Sequence, residues 1–138
     1  MRRLPVFVAT ALVSLGAALG GATFQVSAAS NGNGASTAVP SASQIITTAE
    51  RYLGSPYAYI GDDPSTGFSC IGFVHFIFAQ NGVYVPEDLS KAYAAAPHVD
   101  QSNLQPGDLV FFQNTVWDGV SHVDLYVGAG KMIGADSF

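Results

Sequence analysis

The sequence predicts an α+β domain over residues 41–138, and three observations carry that prediction. Apolar residues recur at helical spacing up to Pro97, and in short runs or strict alternation after Gln105. Clusters of Pro, Gly, Asn and Asp punctuate the runs. Helices come first and strands afterwards, which indicates an α+β arrangement rather than regular βαβ alternation.

The segment before that domain has a different character. Arg2 and Arg3 precede an apolar run from Leu4 to Leu19, and Val26-Ser27-Ala28 forms a small-residue cleavage pattern. Residues 1–28 therefore read as an export signal removed before Ala29. The run is just long enough to cross a bilayer, so a retained anchor is the alternative. Thr23, Gln25 and Ser27 favour removal, and no cysteine stands near the cleavage point to carry a lipid. Residues 29–40, rich in Ser, Gly, Asn and Ala, read as a flexible linker with too little apolar area to offset the entropy of ordering it. Removing residues 1–28 takes away Arg2 and Arg3, leaving 3 basic residues against 10 acidic ones, a formal charge of −7. That balance argues against nucleic acid, which is bound by neutralising phosphates, and against docking on an anionic membrane. The expected location is outside the cell or at its wall.

Within the domain, Ser41-Ala42-Ser43-Gln44 has the form of a capping box. Ile45, Ile46, Ala49, Tyr52 and Leu53 then share one helical face, and Gly54 closes the helix. Residues 55–68 read as a loop. A second helix begins at Cys70, carries Phe73, Val74, Ile77 and Phe78 inward, and ends at Asn81-Gly82. A third, short helix is expected with Pro86 in its first turn, Glu87 and Asp88 near its positive end, and Pro97 as a stop. Gln105-Pro106-Gly107-Asp108 forms a turn into a buried strand, Leu109 to Phe112. From His122 to Val127 the pattern alternates, with Val123, Leu125 and Val127 on one face and His122, Asp124 and Tyr126 on the other. Gly128-Ala129-Gly130 turns the chain back into Lys131 to Ala135.

The chemistry centres on the single cysteine. One Cys cannot form an internal disulfide, and a spare thiol outside the cell is open to oxidation. It is either a buried small hydrophobe or a nucleophile. Cys70 stands at a predicted helix start, where backbone donors and the helix dipole favour negative charge. Histidine is the side chain suited to act as its base near neutral pH. His75 lies on a different face of the Cys70 helix and reads as structural, and His98 follows Pro97 in a loop. His122 opens a strand on a polar face, after Trp117-Asp118-Gly119, and is the candidate base.

Four motifs occur in order: Leu53-Gly54-Ser55-Pro56-Tyr57; Gly67-Phe68-Ser69-Cys70-Ile71-Gly72-Phe73-Val74; Leu104 to Phe112; and Ser121-His122-Val123-Asp124-Leu125-Tyr126-Val127-Gly128. Together they resemble the NlpC-type, papain-like cell-wall cysteine peptidases over nearly all of residues 41–138. The resemblance implies a nucleophile helix packed on an antiparallel sheet that carries the histidine. It implies Cys70 as nucleophile, His122 as general base and Tyr57 as a residue lining the site. The implied substrate is a peptidoglycan stem peptide, typically cut after a D-glutamyl residue through an acyl-enzyme, with no metal or organic cofactor.

The sequence departs from that pattern in four places. Ser69 and Ile71 flank the cysteine where the family usually has Asp and Ser. The family places His, Asn or Gln twelve residues after the base to orient its ring, and here that position is Gly134. The family's sheet usually runs on beyond the equivalent of Phe138, so a shortened C-terminal edge is expected. Hairpin arithmetic offers a substitute for the missing side chain. A three-residue loop at 128–130 pairs Val127 with Lys131, Asp124 with Gly134 and His122 with Asp136. Asp136 then stands opposite the histidine, either as its orienting carboxylate or as a solvated residue, with a backbone carbonyl or water as other orienters. Two further readings stand beside the peptidase: an inactive relative that binds wall peptides or a partner hydrolase, and a hydrolase of another amide or ester.

Overall fold

A computed structural model describes residues 6–9 and 39–136 of the chain, so most of the expected leader and of the linker lie outside the described residues. The first domain helix, α1 (Ala42–Glu50), is opened by the expected capping box: Ser41 Oγ accepts from Gln44 N at 3.3 Å, and Ser41 N donates to Gln44 Oε1 at 2.7 Å. Ile45 and Ala49 are buried and Tyr52 packs behind them. Leu53, expected on the same face, is instead 64% exposed. The helix has already ended at Glu50, and the turn before Gly54 (φ +86°) swings Leu53 outward.

The segment expected to be a plain loop contains a small hairpin, β2 (Asp62–Asp63) against β3 (Gly67–Phe68). Asp63 Oδ1 accepts from Ser65 N at 2.8 Å and fixes its turn. It feeds directly into α2 (Cys70–Ala79). Five of ten residues in α2 are buried, Gly72, Phe73, Val74, Ile77 and Phe78, as befits a helix apolar on most sides at the centre of the domain. The third helix, α3 (Leu89–Ala95), starts later than expected. Pro86 and Glu87 precede it, because Asp88 takes the cap, accepting from Lys91 N at 2.8 Å.

The strands are β1 (Val6–Ala9), β4 (His98–Val99), β5 (Leu109–Gln113), β6 (Val120–Gly128) and β7 (Lys131–Ile133), in the antiparallel order β4-β1-β5-β6-β7. Leu109 pairs with Leu125, Phe111 with Val123, and Phe112 with His122. The inward residues Leu109, Phe111, Val123 and Leu125 form one core with Phe73, Val74, Ile77 and Phe78 of α2. Helices on one face of an antiparallel sheet are the α+β architecture expected from the order of the runs. Val6–Ala9, inside the expected leader, pairs with Leu109–Phe112 on one side and with His98–Val99 on the other. Were residues 1–28 removed, as the sequence leads one to expect, that strand would leave the sheet and the β5 edge would open.

The hairpin between β6 and β7 is tighter than the arithmetic expected. Ala129 (φ +51°) and Gly130 (φ +72°) make a two-residue turn, and Gly128, not Val127, pairs with Lys131. A bulge between Tyr126 and Gly128 restores the register, so Tyr126 faces Met132 and Leu125 faces Ile133. That register, continued along the two chains, sets Gly134 beside Asp124 and Asp136 beside His122.

The approach of the 55–68 segment to α2 depends on Gly72. A Cβ on Gly72 would overlap the carbonyl oxygen of Gly61, a backbone atom with no rotamer to retreat into. That carbonyl also accepts from Ser69 N at 2.7 Å and from Ser69 Oγ at 3.0 Å. Gly72→Ala is expected to destabilise the domain by about 1–3 kcal/mol through overpacking, read as a lowered urea midpoint at unchanged slope. An unshifted midpoint would show that the loop does not press on the helix as described.

Candidate active site

Cys70 is the first residue of α2, and Ser69 is its N-cap, accepting from Gly72 N at 3.1 Å. With the Gly72 amide taken by the cap and Phe73 N donating to Ser69 O at 2.9 Å, the amides of Cys70 and Ile71 are the donors left free in the first turn. The serine in place of the family's aspartate thus serves the helix as a neutral cap, and Ile71 packs partly against the core.

Tyr57 is carried to the cysteine by the backbone beside it. It forms a parallel bridge with Phe68, supported by Phe68 N to Pro56 O and Ala58 N to Phe68 O, both 2.9 Å. Burial raises the Tyr57 hydroxyl pKa above its usual value, with Cys70, Tyr59 and Asp136 adding to the rise. It therefore stays a protonated donor across the physiological range.

His122 approaches from β6, its ring 5.7 Å from that of Phe112 on β5. Its Nε2 lies 2.9 Å from Asp124 Oδ1 and 2.9 Å from Asp136 Oδ1. Of the two carboxylates, Asp124 is the one hydrogen-bonded to Nε2, Asp136 lies at ion-pair distance, and Cys70 lines the same cleft. Burial by itself pulls the His122 pKa down, but the Asp124 hydrogen bond, then Cys70 and the charges of both, outweigh it and hold it at about 10, against an ordinary 6.5. The ring is an imidazolium at neutral pH. Because the folded value is the raised one, its stabilisation is complete below about 6.5 and fades as pH climbs through about 10. Burial also pushes the Asp136 carboxyl upward, helped by the Asp124 charge and opposed by His122.

These side chains line a cleft of about 560 Å³ together with Tyr59, Thr115, Val116, Trp117 and Ser121. A second lobe of about 470 Å³ lies on the other side of Cys70, bounded by Gly61, Asp62, Ile71 and Glu87, with Tyr57, Tyr59 and Trp117 shared between the two. Among the described residues, no lysine or arginine lines either lobe. Trp117 is held over the groove by its own loop: Nε1 donates to Val120 O at 3.1 Å, and Gly119 N donates to Asn114 Oδ1 at 2.8 Å.

The structure therefore brings together Cys70, His122, Tyr57 and Asp136. His75 is elsewhere, its ring between Val85 O (2.6 Å) and Glu87 (3.1 Å), and His98 sits on Tyr93 O at 2.9 Å. Sequence reading placed Asp124 on the polar face of its strand but gave it no part in the site. Its i, i+2 spacing from His122 was the available signal. His122, Asp124 and Asp136 hold three metal-capable ligand atoms within 4.8 Å of one another.

Comparison with known proteins accords with this geometry. The model of the NlpC/P60 family matches residues 54–137. The chain is 41% identical over 92 residues to a gamma-DL-glutamyl hydrolase of Bacillus subtilis, a match covering 66% of this chain and 22% of that protein. It is 44% identical over 91 residues to a protein of Listeria seeligeri named probable endopeptidase p60, covering 66% of this chain and 17% of the relative. The chain thus spans about a fifth of the length of these curated relatives. Among solved structures, the peptidoglycan hydrolase RipB of Mycobacterium tuberculosis superposes with a TM-score of 0.61 at 31% identity, over 70% of this chain and 53% of that one.

Proposed function

The chain belongs to the NlpC/P60 family, and from that membership we propose that it hydrolyses amide bonds of peptidoglycan stem peptides with Cys70 as nucleophile and His122 as its base. The observation that carries the reading is one cleft in which the chain's single thiol, at a helix start, is lined up with a histidine whose ring is held by the Asp124 carboxylate. The thiolate attacks the scissile carbonyl carbon, forming a C–S bond and an oxyanion. The Cys70 and Ile71 amides and the Tyr57 hydroxyl are the donors available to that oxygen. On collapse the C–N bond breaks, and His122 delivers its proton to the departing amine. Neutral His122 then takes a proton from water, whose oxygen attacks the thioester; the C–S bond breaks, regenerating the thiolate and the protonated ring, and the new carboxylic acid gives its proton to solvent.

The names of two relatives support the choice of bond and substrate, a glutamyl linkage in one and peptidoglycan in the other. The substrate lies outside the membrane, which agrees with reading residues 1–28 as an export signal removed before Ala29. Among the described residues no helix is long and apolar enough to cross a membrane.

Digestion of purified peptidoglycan by the full-length protein tests the proposal. Soluble peptide fragments are expected, released at a rate that holds through neutral pH and falls on the alkaline side as His122 loses its proton near 10. A folded protein that releases no peptide overturns the reading.

A further inference from the structure

Gly134 occupies the position at which the family's orienting side chain is expected, and its glycine is not demanded by the backbone. The glycines with positive φ include Gly128 and Gly130 but not Gly134. A side chain there would meet another side chain rather than backbone. A Cβ on Gly134 would overlap Asp124 Oδ1, with Asp124 Cγ only 2.7 Å away. The Asp124 carboxylate therefore fills the volume that a residue at 134 would use, and from that volume it reaches His122 Nε2 at 2.9 Å.

We propose that the orienting group of the site has been relocated across the hairpin: Asp124 is the positioning residue that holds the His122 ring, and Gly134 is the vacancy that admits its carboxylate. The inference rests on the Cys70–His122 reading of the cleft. Asp124 suits the role better than Asp136 on placement. It stands on the same strand as the histidine, two residues on and therefore on the same face, with its side chain only 11% exposed. Asp136 follows the last strand, is 33% exposed and lies at ion-pair distance from the ring, whereas Asp124 is hydrogen-bonded to it. The groups that face His122 are Asp124 on its own strand, Asp136 beyond β7, Cys70 on α2 and, farther across the cleft, Tyr57; Phe112 on β5 contributes only its ring.

The arrangement makes a reciprocal prediction that a purely structural aspartate does not. Asp124→Gly should lose peptide release by about tenfold or more, as expected when an imidazole loses its orienter. Gly134→Asn in the wild-type background should also lose activity, because the new side chain and Asp124 compete for one volume. The double variant Asp124→Gly, Gly134→Asn should regain most of what either single change loses, because an orienting amide then stands at 134 with no carboxylate competing for its volume. An NMR titration of the His122 imidazole in the full-length protein supplies a readout independent of turnover. His122 should titrate near 10 in the wild type and shift toward ordinary histidine values in Asp124→Asn. If the wild type releases no peptide, the hydrolase reading fails, and the titration still decides the positioning role. An Asp124→Asn protein whose His122 titrates as in the wild type overturns the proposal, as does a double variant no better than the worse of its parents.

Discussion

Replacing Cys70 with alanine is expected to reduce peptide release from peptidoglycan to background, a loss of at least about 10³-fold. The size of the effect follows from the site's composition. Cys70 is the chain's one cysteine, and the remaining groups around it, an imidazolium, two carboxylates and a protonated tyrosine, include no second nucleophile of comparable strength. What survives its removal is binding in the groove and the donors at the start of α2, which act on a covalent step that no longer occurs. Folding should be nearly untouched, because Cys70 is only partly buried and sits at the edge of the core. Thermal unfolding measured beside activity separates the two effects. A Cys70→Ala protein that keeps a tenth of wild-type release would place the nucleophile elsewhere.

The second large effect is on stability. Phe68 is 1% exposed and lies two residues before the nucleophile. Its ring makes edge-on or tilted contacts with Tyr52 at 6.0 Å, Phe73 at 5.5 Å and Phe76 at 5.2 Å. These rings belong to the turn after α1 and to α2, so one side chain ties both to the hairpin that delivers Cys70. Phe68→Ala should cost about 3–5 kcal/mol, counting lost transfer energy and the cavity left behind. Against a total stability of about 5–15 kcal/mol for a domain of this kind, the variant should lose a large fraction of its stability. Loss of the same ring should also loosen Tyr57, whose backbone pairs with residue 68. Urea unfolding measures the first effect. A change under about 1 kcal/mol would mean that the ring cluster is not part of the cooperative core.

Much of this site could be read from local rules. The Ser41 box, the helix from Cys70, the paired runs 109–112 and 122–127, and the choice of His122 over His75 and His98 each follow from a period, a cap or a turn. Asp136 could be reached because a β-hairpin converts a count of residues into a cross-strand neighbour. The actual turn is two residues with a bulge rather than three residues without one, and the two errors cancel before the register reaches His122. The start of α3 differs from the expected one because Pro86 suits a first turn as well as Asp88 suits a cap, and the side-chain hydrogen bond decides between them. The strands β2, β3 and β4 have two residues each, too short for any periodicity to register. Asp124 escaped for a different reason. Its role depends on what is missing at Gly134, and an empty volume on a neighbouring strand leaves no mark in the pattern of Asp124's own strand.

The most direct test of the Cys70–His122 account uses the fact that the chain has one cysteine. Treating the full-length protein with iodoacetamide and following intact mass and peptide release in the same sample yields two rates. The account predicts that they coincide, one alkylation per chain abolishing one chain's activity, and that a soluble stem peptide slows both equally. Fully alkylated protein that still releases peptide from the wall would contradict it.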